Sequence, residues 1–152
     1  MKRIVISCFV ASCFMFLNAA LAFAQTQNTQ GKLQITIDQF KDDQGQALVL
    51  LYRPNDKLFK DGAAFKIITA KIVKGQATVI IEDLPFGEYA AVAIHDENSN
   101  NKVDRHWYGH PKEPFGFSND APLPGIPGML KFQELAFTFS ATQTTSTIHL
   151  FK

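Results

Sequence analysis

The chain has 152 residues, of which 46% are hydrophobic and 19% charged, and its formal net charge is +1. These totals exclude a polytopic membrane protein, an intrinsically disordered chain and a strongly basic nucleic-acid-binding protein. The first 24 residues are much more apolar than the rest, so the two parts are considered separately.

The first 24 residues have the layout of a secretory signal peptide. A cationic start, Met1-Lys2-Arg3, precedes an apolar run over residues 4–20 and a small-x-small cleavage pattern at Ala22-Phe23-Ala24. The apolar run is too short and wrongly flanked for a permanent transmembrane helix. We therefore expect export to the periplasm or the extracellular space, with no integral membrane insertion after cleavage.

Removal of the signal changes the expected chemistry of the mature chain, residues 25–152. This part has 13 basic and 14 acidic side chains, so its net charge is −1 and no footprint for nucleic acid remains. Cys8 and Cys13 leave with the signal, so the exported chain must fold without a disulfide. A lipoprotein signal cut before Cys13 is the alternative, but it would leave the apolar stretch 14–24 on the product.

The mature chain has mostly two-residue periodicity, which predicts strands. Residues 25–31 predict a flexible polar leader, and residues 32–152 predict a single domain. Seven short strands are predicted, over residues 33–37, 47–52, 65–73, 77–81, 88–95, 136–140 and 146–151. Hairpin turns are predicted at Lys74-Gly75-Gln76 and at residues 141–145.

This pattern predicts an all-β protein, an antiparallel β-sandwich of immunoglobulin-like or prealbumin-like type with about seven strands. Residues 129–137 have helix-like spacing, for which a single turn before the next strand is the alternative. Residues 96–131 form one long irregular loop in this prediction, with five of the seven prolines and the only Trp. Long irregular connections are usually functional or disordered, and the large aromatic side chains here argue against disorder. The loop is therefore the first candidate for a site.

The loop begins with oxygen-bearing side chains at alternate positions. The residues at positions 1, 3, 5 and 9 of an EF-hand-type calcium loop are Asp96, Asn98, Asn100 and Asp104. Their short side chains could converge on one hard cation, with the Lys102 carbonyl as a further ligand. Two certain carboxylates predict weak calcium binding, with a Kd of roughly 10⁻⁴ to 10⁻³ M. The alternative is an Asn-rich turn in which these side chains bond their own backbone.

Two positions depart from an EF-hand. Position 6 requires a positive φ and normally has Gly, whereas this chain has Asn101, the next most tolerant residue type. Position 12 normally has a bidentate Glu, whereas this chain has Trp107. Glu97 or Glu113 would therefore have to complete the ligand shell from outside the pattern.

Other residues of the predicted loop, and His95 just before it, are candidates for contacts with the sandwich or with a partner. Its large aromatic side chains are Trp107, Tyr108, Phe115 and Phe117. They either pack the loop onto the sandwich or form a surface for an unknown protein or cell-envelope partner. His95, at the predicted end of a strand, is a candidate for orienting the loop.

A metal-assisted hydrolase is the alternative function. It would use His95, Asp96 and a metal-bound water, and it needs a pocket with at least three convergent ligands. The sequence has neither a nucleophile elbow nor a phosphate-binding Gly loop. A non-enzymatic binding or structural module, with no catalytic residue, is the favoured prediction.

Three motifs in the mature chain are distinctive. They are Leu84-Pro85-x-Gly87-x-Tyr89-Ala90, His95-Asp96-x-Asn98-x-Asn100-x-Lys102-x-Asp104 and Gly109-x-Pro111-x-Glu113-x-x-Gly116-Phe117-Ser118-Asn119. Together they resemble a bacterial exported family catalogued as domain of unknown function 2141, over roughly residues 31–152. The resemblance implies a small periplasmic or secreted protein and assigns no activity. The first motif is also similar to a strand-entry turn of prealbumin-like and carboxypeptidase-regulatory-like sandwiches, which supports the predicted fold.

Overall fold

The computed structural model describes residues 29–123 and 130–151. The predicted signal peptide, residues 25–28 of the predicted leader and residues 124–129 of the predicted loop lie outside these residues, and residue 129 is also the start of the helix-like stretch. In the described part, none of the helices has the length and apolarity that a bilayer crossing requires.

Eight strands and two short helical segments form the described part of the chain. The strands are β1 (Gln30–Asp38), β2 (Gln46–Tyr52), β3 (Lys66–Ala70), β4 (Ala77–Pro85), β5 (Gly87–Asp96), β6 (Phe115–Phe117), β7 (Phe137–Phe139) and β8 (Thr145–His149). A 3₁₀ turn covers Ser118–Asp120, and helix α1 covers Phe132–Leu135. The all-β prediction is confirmed.

The strands form two sheets that make a β-sandwich, as predicted. One sheet has the order β4-β1-β8, and the other has the order β3-β2-β5-β6, with β7 also paired to β5. Strands β1 and β8 are parallel, whereas the other pairs are antiparallel. The sandwich is therefore not purely antiparallel, because β8 reaches β1 from the other sheet and not through a hairpin. The prealbumin-like type stays a prediction.

The main core lies between the inner faces of the two sheets. Alternate residues Leu33, Ile35 and Ile37 of β1 are fully buried there. Strands β2 and β5 are apolar almost throughout because both of their faces are covered. The residues that form a second cluster on the outer face of the β3-β2-β5-β6 sheet include Leu48, Val92, Ile94, Phe117, Phe132 and Leu135. The continuous apolar runs of β2 and β5 therefore reflect burial on two sides.

Neither predicted hairpin forms, because the strands before and after each turn pair with other strands. The Lys74-Gly75 turn is tight, since Val73 and Gln76 exchange backbone hydrogen bonds of 2.7 and 3.2 Å. However, β3 pairs with β2 and β4 pairs with β1, so the chain crosses from one sheet to the other here. Strands β7 and β8 also join different sheets. An alternating pattern specifies which face of a strand is buried but leaves the partner strand open.

The predicted irregular loop, residues 96–131, contains regular structure. Strand β6 pairs with β5, with Phe117 opposite Val92 and Phe115 opposite Ile94. A three-residue strand is too short to show a recognisable period in the sequence. This part of the prediction is wrong, and the loop is divided by β6.

Two element boundaries also differ from the prediction. Strand β1 begins at Gln30, inside the predicted leader 25–31. Helix α1 is a single turn, in which Phe132 and Leu135 are buried. This agrees with the single-turn alternative for residues 129–137.

His149 links the ends of β8 and β1. Its side chain faces outward, and its Nδ1–H donates to Asp38 Oδ1 at 2.6 Å. Asp120 Oδ1 lies 3.9 Å from the other ring nitrogen. The hydrogen bond to Asp38 raises the pKa of His149 above its usual value.

This pair predicts a pH-dependent contribution to stability. Because the pKa is raised on folding, the contribution is fully present below the unfolded value of about 6.5 and disappears as pH rises through the folded value. We expect His149→Asn to remove it, at well under about 1 kcal/mol, because the pair is half-exposed. Urea unfolding from pH 5.5 to 9 measures the effect, with His106→Asn as control. An unchanged pH slope in His149→Asn would contradict the prediction.

Candidate functional site

The candidate calcium loop starts from a buried carboxylate at the end of β5. Asp96 is 0% exposed. Its Oδ1 accepts the N–H of Asn100 at 3.1 Å, and its Oδ2 accepts the N–H of Asn101 at 2.8 Å. Oδ2 also accepts a hydrogen bond from Gln46 Nε2 at 2.7 Å. Gln46 lies opposite Asp96 in the β2–β5 register, so only the strand pairing identifies it as part of the site.

The other predicted side-chain ligands belong to the same hydrogen-bond network. Asn98 Oδ1 accepts the N–H of Asn100 at 3.0 Å, and Asn100 Oδ1 accepts the N–H of Lys102 at 2.7 Å. Both Asn side chains also donate to Asp104 Oδ2, at 2.7 and 3.2 Å. The structure therefore brings the four predicted side chains together. The role of the Lys102 carbonyl stays a prediction.

The loop is tightly coiled because two of its residues have a positive φ. Asn101 has a φ of 60°, as the comparison with position 6 of a calcium loop predicted. Ser99 has a φ of 56°, which no feature of the sequence predicts. Left-handed backbone turns the chain sharply and lets alternate side chains point to the same side.

Glu113 joins this network from beyond the loop. Its Oε2 accepts the N–H of Asp104 at 3.1 Å, and the N–H of Lys112 donates to the Asp104 carbonyl at 2.8 Å. Glu113 is only 6% exposed. Burial, with the nearby charges of Asp104 and Asp96, raises the pKa of the Glu113 carboxyl. Glu113 is therefore a buried residue that contacts the loop, which fits the loop-orienting alternative predicted for it better than a surface contact.

His95 is buried at the base of the loop. Its Nε2–H donates to the Gln44 carbonyl at 2.8 Å, and its ring contacts Phe40 edge-on. Its backbone N–H donates to the Pro114 carbonyl at 2.8 Å. These contacts tie the end of β5 to both flanking segments, and the orienting role of His95 stays a prediction. They also place the imidazole away from solvent.

The four aromatic side chains of the loop have two different roles. Phe115 and Phe117 pack with Phe151 and belong to the cluster on the outer face of the sheet. Trp107 is 96% exposed and Tyr108 is 55% exposed, and their rings contact each other edge-on. The packing interpretation holds for the two phenylalanines. The contact-face interpretation stays open for Trp107 and Tyr108.

An apolar groove lies beside the loop. It has a volume of about 980 Å³ and runs along the outer face of the sheet, over Leu48, Leu50, Val92 and Ile94. Residues of two loops form its walls, among them Arg105. No sequence pattern predicts this groove, because its residues come from strands and loops far apart in the chain.

The described residues contain no ready-made cluster of ionisable metal ligands. Within residues 29–123 and 130–151, no three His, Cys, Asp or Glu side chains are grouped so that they could hold a metal ion. His106 and His110 are exposed, and both rings lie near Tyr108, at centroid distances of 5.0 and 5.6 Å. A cation at the loop would therefore depend on amide and carbonyl oxygens in addition to carboxylates.

Comparisons with known proteins identify the family. The family described as "Uncharacterized protein conserved in bacteria (DUF2141)" matches residues 35–147, which include the complete Asp96–Asp104 loop, Glu113 and strand β6. Searches of curated proteins and of solved structures found no significant match. The match covers well over half of the sequence, so the chain belongs to this bacterial family.

Proposed function

We propose that this protein is an exported, non-enzymatic binding module whose Asp96–Asp104 loop binds calcium. The signal-peptide layout of residues 1–24 supports export. The exposed pair Trp107 and Tyr108 supports a contact role toward a protein or cell-envelope partner, because exposed aromatic side chains are enriched where partners bind.

The observation that carries the calcium proposal is the buried Glu113 carboxylate. Its Oε2 accepts the Asp104 N–H, and the charges of two more carboxylates, Asp104 and Asp96, act on it. A buried ionised carboxylate is costly, and like charges close by increase the cost. A divalent cation would offset both effects.

The types of ligand atom favour calcium. The network contains carboxylate and amide oxygens, which hard cations prefer, and the mature chain has no cysteine. The turn hydrogen bonds of Asn98 and Asn100 occupy one lone pair of each amide oxygen, which leaves a second lone pair for an ion. Calcium would replace the two Asn side-chain donors that now contact Asp104.

The hydrolase alternative receives less support. It requires His95 to act on a metal-bound water, but this imidazole is 0% exposed and donates its Nε2–H to the Gln44 carbonyl. A general base must come within hydrogen-bond reach of its substrate. The buried position of His95 is better suited to orienting the loop.

Calcium titration of the wild type and two variants tests the proposal. At a calcium concentration ten times the Kd, we expect stabilisation of about 1.4 kcal/mol. Asp104→Ala and Glu113→Gln each remove a carboxylate, so both should weaken binding at least ~10-fold, whereas the exposed Glu88→Gln should not. Isothermal titration calorimetry and thermal melting give the Kd and the stabilisation. An identical calcium response in the wild type and both loop variants, or no response in any, would overturn the proposal.

A further inference from the structure

The groove on the outer face of the β3-β2-β5-β6 sheet is a second candidate ligand site, and the calcium loop contributes Lys102 and Asp104 to its wall. Its floor is made by residues of β2 and β5 that alternate with the core-facing ones: Leu48, Leu50, Val92 and Ile94. Its volume of about 980 Å³ lies in the range typical of small-molecule sites. The floor is apolar, so the body of the ligand should be apolar too.

The groove also contains an uncompensated positive charge. Arg105 is half-buried, and its guanidinium donates to two neutral carbonyls, those of Gly109 at 3.1 Å and Phe59 at 3.3 Å. In the described ranges, Arg105 forms no ion pair. A guanidinium has five N–H donors, so these two bonds leave capacity for an anion.

The other charged groups of the groove do not cancel the positive charge of Arg105. The lysines and aspartates that line it are Lys60, Lys102, Asp61 and Asp104, and their formal charges balance. Tyr52 also lines the groove, and burial raises the pKa of its hydroxyl, which therefore stays protonated at neutral pH. Arg105 and Tyr52 thus add donors to a site with an apolar floor.

We propose that this groove binds a small amphiphile that has one carboxylate head and an apolar chain. Arg105 pairs with the head, and the apolar lining at Leu50 and Ile67 holds the chain. The charge of Arg105 selects the anion, and the apolar floor excludes small hydrophilic anions such as acetate. This proposal does not depend on calcium binding.

Dodecanoate is the probe that tests this assignment. We expect saturable binding of dodecanoate to the purified protein in EDTA, below the micellar concentration, by isothermal titration calorimetry. Dodecyltrimethylammonium, with the same chain and the opposite charge, and acetate should each bind at least ~10-fold more weakly. The EDTA buffer makes the result independent of whether the loop binds calcium.

Three variants separate the roles of the head and the chain. Arg105→Gln should weaken dodecanoate binding ~10-fold or more, and Arg105→Lys, which keeps the charge, should recover part of it. Leu50→Trp fills the floor and should also weaken binding. Ile80→Trp is the matched control, because Ile80 is 47% exposed on β4 of the other sheet. Thermal melting checks that each variant is folded, and the comparison of ligands needs only the wild type.

Several results would overturn the proposal. One is the absence of saturable dodecanoate binding, and another is equal affinity for the anionic and cationic probes. Equal affinity in the Arg105→Gln, Leu50→Trp and Ile80→Trp variants would place the ligand elsewhere. Self-association of the wild type that Leu50→Trp abolishes, together with no dodecanoate binding, would assign the groove to a second copy of the chain.

Discussion

Gly116→Ala is expected to lower the free energy of unfolding by about 3 kcal/mol, because over-packing a closed core displaces its neighbours. A Cβ at this position would overlap the carbonyl oxygen of His149 and lie 2.9 Å from its carbonyl carbon. It would also lie 3.0 Å from Ile148 Cγ2. Gly116 is buried in β6, where this strand crosses the end of β8, so neither backbone can move away easily.

Urea unfolding and thermal melting measure this effect, and the melting temperature should fall by roughly 10 °C. Gly62→Ala is the control, since a Cβ there meets no atom within 4 Å although φ is +73°. The control should cost only about 1 kcal/mol, for the left-handed backbone. Equal losses in the two variants would show that the close approach of β6 to β8 is unimportant.

Ser118→Ala is expected to cost about 3 kcal/mol, because two buried backbone groups lose their partner at once. The Ser118 hydroxyl is fully buried, accepts the N–H of Ala91 at 2.8 Å and donates to the Leu135 carbonyl at 2.6 Å. One side chain thus connects β5 to the end of helix α1.

Hydrogen exchange gives a local measurement for this second variant. The amide of Ala91 should exchange faster in Ser118→Ala, in addition to the loss seen in urea unfolding. Ser99→Ala is a suitable control, because Ser99 is exposed in the loop. Unchanged protection of Ala91 together with unchanged stability would contradict the role assigned to the hydroxyl.

Both variants also bear on the two proposed sites. Phe115 and Phe117 flank Gly116 and line the groove, while the Pro114 carbonyl fixes the backbone of His95 beside the calcium loop. Damage to β6 should therefore weaken dodecanoate binding and calcium binding together. If a variant loses dodecanoate binding but keeps calcium binding, or the reverse, the loss comes from contacts specific to that one site.

Several features could be predicted from local sequence alone. The alternation of Leu33, Ile35 and Ile37 identified a half-buried strand, because side chains of a strand point alternately to its two faces. The spacing from Asp96 to Asp104 identified a coiled loop with convergent oxygens, since short polar side chains bond backbone groups only two to five residues away. Both features depend on neighbours in the chain, which a sequence displays directly.

Other features depended on tertiary structure. Strands β3 and β4 joined different sheets despite a tight turn between them, because the choice of partner is made by distant strands. The sequence left two candidates, Glu97 and Glu113, for completing the ligand shell. The position of β6 brings Glu113 next to Asp104, whose N–H it accepts. The groove around Arg105 collects residues from separate strands and loops, so no local period marks it. The sequence by itself determined buried faces and local turns, whereas packing between distant segments decided strand partners, burial of charge and the groove.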